Sequence, residues 1–284
     1  MTLCWMNGTY MSADELRISP FDHGFLYGLS FFETFRTYQG KVLFLNEHYK
    51  RLCAALNSYH IEMPYTLVEL EEVISELTKR NGGADGYFRL NVSAGEHDMG
   101  LQSTVYTQPT VIIFRQELST RKRGEAKTAK WIHMPRSLPE QGALVNAHHA
   151  HHQVLGRFDI ASPEAEEGLF LTPLGYVAEG ITSNIFWVKD DILYTPSVET
   201  GIIPGITREW VILIAERLGI RLEQGLFKPR ALRDATECFI TNSIHELVPI
   251  RQIEADRYLG EDGPVYQRLH QAYIEEILSM LKRS

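Results

Sequence analysis

The stretch Gly201-Ile202-Ile203-Pro204-Gly205-Ile206-Thr207-Arg208 has the makings of an anion seat. Its glycines let backbone come close to an anion. A helix opening at Ile206 or Thr207 would aim free N–H groups and the positive end of its dipole at that anion. The plainer reading is a Pro-Gly turn before a helix. Arg51, in His48-Tyr49-Lys50-Arg51-Leu52, carries a fork of donors that suits phosphate oxygens, although a solvated helix arginine has the same spelling. His148, His149, His151 and His152 crowd one segment. On a helix His148 and His152 would lie at i,i+4, a spacing that can ligate zinc. No cysteine or carboxylate motif completes a ligand set, so no metal is expected. An imidazole there could instead move protons near neutral pH.

The elements that must position these groups follow from periodicity. Leu3 to Met6, Asn7-Gly8 and Thr9 to Met11 read as a hairpin, since Asn-Gly suits a tight turn. Phe31 to Tyr38 and Val42 to Leu45 read as a second strand pair across Gln39-Gly40. Asn46 is the expected cap of a helix carrying Tyr49, Leu52, Cys53 and Leu56 at helical spacing. Leu67 to Leu77 is a second helix; Tyr87 to Ala94 and Thr110 to Phe114 are strands. This makes a small α+β domain over residues 1–118. Residues 119–130 are polar and basic and read as a linker to a larger α/β domain, 131–284. There a helix is expected from Asn146 to Phe158. Strands are expected at Leu169 to Thr172, Tyr176 to Glu179, Ile185 to Val188, Ile192 to Tyr194 and Thr236 to Thr241. An apolar helix through Leu218 and a closing helix from Val265 to Leu281 complete the pattern.

Bulk properties narrow the function. The chain has 284 residues, 44% hydrophobic and 23% charged, enough for one large or two modest cores. Its net charge of -8 argues against nucleic-acid binding. Cys4, Cys53 and Cys238 are odd in number and far apart, which argues against a disulfide framework and for a reducing cytoplasm. The start lacks the pattern of a signal peptide, and no apolar stretch reaches membrane-spanning length.

Four segments, in order, resemble the class IV pyridoxal-phosphate aminotransferase family. They are Phe32-Glu33-Thr34-Phe35-Arg36 with His48 to Leu52; Val177-Ala178-Glu179-Gly180-Ile181-Thr182-Ser183-Asn184-Ile185-Phe186; Gly201 to Arg208; and Ile240-Thr241-Asn242-Ser243-Ile244-His245-Glu246-Leu247-Val248-Pro249. The resemblance implies a D-amino acid or branched-chain aminotransferase-like fold of class α/β, with an active site between the domains and a homodimer. It implies that Arg51, Ser243 and the Gly205-Ile206-Thr207 helix start hold the cofactor phosphate. Ser183, Asn184 and Asn242 join the cofactor site, and Glu179 pairs with the pyridine nitrogen, keeping the ring able to accept electrons. Ser19 to Gly28, with Thr34 in the Phe32 to Arg36 segment, looks most like the bacterial 4-amino-4-deoxychorismate lyases. In those lyases a threonine at Thr34 is implicated in catalysis.

The departure from the family is Asn146. The family carries there the lysine that holds the cofactor as a Schiff base and moves the substrate's α-proton. The segment from Val145 to Arg157 aligns without a gap, and the nearest lysines are Lys130 and Lys189. An asparagine amide does neither task. Pyridoxal 5'-phosphate is therefore expected to bind noncovalently. The resemblance implies a small amino-bearing substrate, with activity impaired at Asn146. A transaminase of the same fold, or a silent homologue with a binding or regulatory role, stands as an alternative.

Overall fold

The computed structural model describes residues 2–101, 103–118, 122–137 and 145–283. The chain divides into two compact units, Met1–Ser119 with Val145–His149, and Thr120–Leu144 with Ala150–Arg283.

The first unit is an antiparallel sheet backed by two helices. The hairpin β1 (Leu3–Met6) and β2 (Thr9–Ser12) turns through Asn7 and Gly8, with φ of 41° and 92°, as Asn-Gly allows. After a short helix α1 (His23–Tyr27) come β3 (Ser30–Tyr38), β4 (Lys41–Val42), β5 (Gly86–Ser93) and β6 (Thr110–Glu117). They are ordered β2-β1-β6-β5-β3-β4. Alternation along β3 sends Phe31, Glu33 and Phe35 inward and leaves Phe32, Thr34 and Arg36 half-buried on the other face. Helices α2 (Leu45–Ser58) and α3 (Leu67–Arg80) close the inner face, packing Leu52, Leu56, Leu70 and Ile74 against Phe31, Phe35 and Phe88. Thr66 and Glu69 form a reciprocal capping box on α3. Asn46, the expected cap of α2, lies inside that helix. The cap residue is Phe44, in left-handed backbone (φ 63°) with no side-chain bond, so the second strand of the pair stops at Val42.

Glu33 is 2% exposed, yet it lies on the apolar face. Its carboxylate accepts from Arg51 Nε at 2.7 Å and Nη2 at 2.6 Å, and lies 2.7 Å from His48 Nδ1. Burial alone would raise its pKa, but the Arg51 charge and the bonds from Arg51 and His48 hold it below the usual range.

The second unit is built on a nine-stranded sheet. Its strands are β7 (Lys127–Trp131), β8 (Glu166–Leu171), β9 (Val177–Gly180), β10 (Asn184–Lys189), β11 (Ile192–Pro196), β12 (Leu222–Gly225), β13 (Glu237–Asn242), β14 (Glu246–Ile253) and β15 (Asp256–Arg257). The order is β12-β11-β10-β13-β14-β7-β8-β9, with β15 beside β14. Helices α4 (His151–Arg157), α5 (Ile206–Arg217) and α6 (Pro264–Arg283) belong to this unit. The central strands are buried on both faces: Trp187, Cys238 and Ile240 join one core, while Phe186 and Phe239 stack at 5.1 Å on the other side.

The structure corrects several expectations. Lys127 to Lys130, read as the end of the linker, lie in β7, whereas Ser119, Thr120 and Arg121 fall outside the described residues. The helix expected from Asn146 begins only at His151. Asn146 to His148 run extended instead, because Phe32 N donates to Asn146 O at 2.8 Å and His148 N to Ser30 O at 3.0 Å. The i,i+4 relation of His148 and His152 on one helix therefore does not exist. Periodicity gives no sign of strands β12 and β14; Leu247 to Ile250 is a short apolar run without alternation.

Glu33→Ala leaves Arg51 and His48 without their shared acceptor and is expected to cost about 3 kcal/mol of unfolding free energy, read by urea denaturation at pH 7. Because the Glu33 pKa is depressed on folding, its contribution is present above about pH 4.3 and fades as pH falls through the folded value.

Candidate functional site

In the second unit the candidate residues converge where β9 ends and β10 begins. Glu179, near the end of β9, is 4% exposed. Its Oε1 accepts from Arg136 Nε at 2.9 Å, and its Oε2 accepts from Ile203 N at 3.0 Å and Asn184 Nδ2 at 3.5 Å. Asn184 also donates to Ile203 O at 3.0 Å, so the loop before α5 is stitched to both strands. Arg136 is buried, and Gln153, with its amide oxygen turned toward it, accepts from Nη2 and Nη1 at 3.1 and 3.2 Å.

Helix α5 starts at Ile206 with Gly205 as cap residue and no side chain closing its end. Its first N–H groups thus keep their capacity for an acceptor. Glycine at 205 leaves Asn184 its place, since a Cβ there would stand 2.0 Å from Asn184 Oδ1 and push that side chain away. Thr207 and Ile206 are buried in the first turn. Asn184 pairs with Thr241 across β10 and β13, which brings the Asn242-Ser243 end of β13 to the same edge. Asn242 Oδ1 accepts from Ile244 N at 3.0 Å and His245 N at 2.7 Å, shaping the turn that carries Ser243. Two buried hydroxyls here, Ser183 Oγ and Thr241 Oγ1, have no hydrogen-bond partner among the described residues.

The remaining candidates lie in the first unit. Asn146 is half-buried and paired through its backbone to β3, the strand that carries Thr34. Thr34 pairs with Arg89 across β3 and β5. Arg89 is half-buried, donates to Asn91 Oδ1 at 2.9 Å and lies 3.6 Å over the Phe32 ring. Arg51 presents two nitrogens to Glu33. His148 Nε2 lies 3.2 Å from Ser30 Oγ, and burial first, then the charges of Arg89 and His149, push its pKa down to about 4. Among the described residues no cluster of His, Cys, Asp or Glu could hold a metal ion.

Sequence reasoning does not reach Arg136 or Arg89. Arg89 alternates with Phe88 and Leu90 in a strand, which marks its face but not its neighbours. Nothing local distinguishes Arg136 from a surface arginine, because its partners lie 17 and 43 positions away.

The amino-transferase class IV family model matches residues 30–253. This chain belongs to that family. Among curated relatives, the aminodeoxychorismate lyase of Bacillus subtilis (strain 168) is 38% identical over 281 residues, 98% of this chain and 96% of the relative. The branched-chain-amino-acid aminotransferase of Escherichia coli (strain K12) is 27% identical over 95% of this chain and 91% of its own. Among solved structures, the branched-chain aminotransferase of Thermoproteus uzoniensis with norvaline matches with a TM-score of 0.89 at 26% identity, covering 98% of this chain and 95% of that one. The fold is thus the α/β aminotransferase-like fold expected from the motifs. Among the described residues no helix is long and apolar enough to cross a membrane.

Histidine NMR is expected to find His148 neutral from pH 7 to 5, with a midpoint near the depressed value of about 4, and Arg89→Ala should move it upward. The folded pKa lies below the unfolded value of about 6.5, so the unfolded chain binds this proton more readily and stability falls as pH drops between the two. A midpoint at the ordinary histidine value would contradict the burial and charge seen around the ring.

Proposed function

We propose that this class IV chain binds pyridoxal 5'-phosphate noncovalently and carries the site of a 4-amino-4-deoxychorismate lyase whose proton-transfer step is impaired at Asn146. The reaction converts 4-amino-4-deoxychorismate to 4-aminobenzoate and pyruvate, in folate synthesis. The observation that carries the cofactor reading is the buried Glu179 carboxylate, fixed by Arg136, Asn184 and the Ile203 amide beside an uncapped helix start.

The residues present suit a phosphorylated pyridine. The open N–H groups of α5, the hydroxyl of Thr207 and the Ser243 turn offer donors to a phosphate. The orphaned Ser183 and Thr241 hydroxyls supply further unused capacity. The Glu179 carboxylate would accept from a protonated ring nitrogen, and Arg136 would hold that carboxylate in orientation. Arg51 would add a guanidinium to the phosphate, its orientation set by Glu33. When bound, the cofactor supplies an electron sink for charge released at the substrate's α-carbon. Thr34 and Arg89, neighbours on one sheet face, give a hydroxyl and a cation to a carboxylate-bearing substrate. The elimination breaks the bond from ring to enolpyruvyl oxygen after the α-proton leaves, and the released enolpyruvate takes up a proton to become pyruvate. Asn146 cannot accept the substrate's α-proton; loss of such a group costs about 10²- to 10⁴-fold. A small amino-bearing substrate, a cytoplasmic setting and a homodimer go with this reading.

The likeness to branched-chain aminotransferases, with a TM-score of 0.89, supports a transaminase as the second reading. Pyruvate release from 4-amino-4-deoxychorismate with no keto acid present separates the two, because a transaminase needs the acceptor. The chain as it stands is expected to release pyruvate slowly and to retain cofactor that borohydride does not fix to the protein. Asn146→Lys is expected to raise the rate by about 10²-fold or more and to make the cofactor fixable. Fixation without pyruvate release would turn the reading toward a transaminase. If the lysine gives neither, the silent-homologue reading stands.

A further inference from the structure

The hairpin joining β13 to β14 turns through Ser243, Ile244 and His245, with Asn242 and Glu246 paired across it. Left-handed backbone at the residue that closes such a turn favours glycine, because a Cβ is strained there. Here that residue is Glu246, with φ 63° and 0% exposure. For the hairpin alone, a buried acid in strained backbone is a poor choice where glycine would sit at ease.

The carboxylate has a specific partner. Arg123 Nε stands 2.6 Å from Oε2, and Nη2 donates to Oε1 at 2.8 Å. The Nη2 bond fixes orientation, and the short Nε contact adds charge attraction at the second oxygen. Arg123 precedes β7, and β7 pairs with β14, so the fork ties the turn to the neighbouring strand of the sheet. On the other side of Glu246, Tyr266 of α6 donates to Leu247 O at 3.3 Å. Asn242 holds the inside of the turn through Ile244 N and His245 N. The turn that carries Ser243 is thus held from within by Asn242 and, on its C-terminal side, by bonds from other parts of the unit, of which the strained residue makes the longest-range.

We infer that Arg123 and Glu246 are positioning residues for the anion seat: their pairing sets the Ser243 turn in the conformation that meets the cofactor's phosphate. This rests on the reading of that turn as part of the phosphate site. Neither residue acts by contact with the phosphate; both act through the backbone of residues 242–246.

The test titrates the full chain with pyridoxal 5'-phosphate and, separately, with pyridoxal, which lacks the phosphate, and records thermal melts alongside. Glu246→Gly removes the clamp and the strain together. It is expected to weaken pyridoxal 5'-phosphate binding about tenfold, to leave pyridoxal binding unchanged and to move the melting temperature by less than about 3 °C. Arg123→Ala, at an exposed position, is expected to lower affinity in the same phosphate-dependent way and covers the case in which Glu246→Gly does not fold. Arg123→Lys keeps the charge without the fork and should recover only part of the loss. If the Glu246 and Arg123 variants bind pyridoxal 5'-phosphate as the parent does while Ser243→Ala binds it weakly, the inference is overturned and the phosphate site stands. If Ser243→Ala has no effect and the parent binds the two ligands alike, the phosphate site itself fails and the inference with it.

Discussion

Removing the Glu179 carboxylate from water constrains everything around it. An isolated buried carboxylate is far too costly to keep its charge, so each of its oxygens must meet a donor. The donors come from separate places: the Arg136 guanidinium, the Asn184 amide at the start of β10 and the Ile203 backbone before α5. Meeting them fixes where β9 stops, how β10 begins and where α5 points its first turn. Gln153 of α4 joins through Arg136. One charge thereby positions an uncapped helix end and two orphaned hydroxyls without any of them bonding to it directly.

The same device recurs. Glu33 gathers His48 and Arg51 beneath β3; Glu237 accepts from Val265 N and Tyr266 N at the start of α6; Glu246 takes the fork of Arg123. In each case a buried acid on a strand holds an element that the hydrophobic core alone would leave free to slide or rotate. Apolar contacts are non-directional and supply most of the stabilisation. Charge-assisted bonds supply direction, and they concentrate beside the segments where the class IV motifs fall.

Much of the fold was legible where local rules act alone. Asn7-Gly8 dictated a tight turn, Phe31 to Tyr38 alternated as a strand on a one-sided sheet must, and Gly205-Ile206-Thr207 announced a helix start. The misreadings share a cause. Asn46 looked like a cap because capping residues are chosen by local bonding, but Phe44 could take left-handed backbone and begin the helix sooner. Asn146 to Ala150 looked helical because nothing in them forbids a helix; the edge of β3 offered backbone partners that the segment took instead. The run from Leu247 to Ile250 hid a strand because burial on both faces erases alternation.

By itself the sequence determined the class IV motifs, their order and the asparagine at 146, because residue identity and spacing need no coordinates. The type of each strongly periodic strand and helix also followed, since periodicity is a property of the chain. Only the tertiary structure decided which charges meet. Glu33 with Arg51, Glu179 with Arg136 and Glu246 with Arg123 lie 18, 43 and 123 positions apart. No local pattern encodes such pairs, because the stability of a buried charge depends on the donors brought to it by folding.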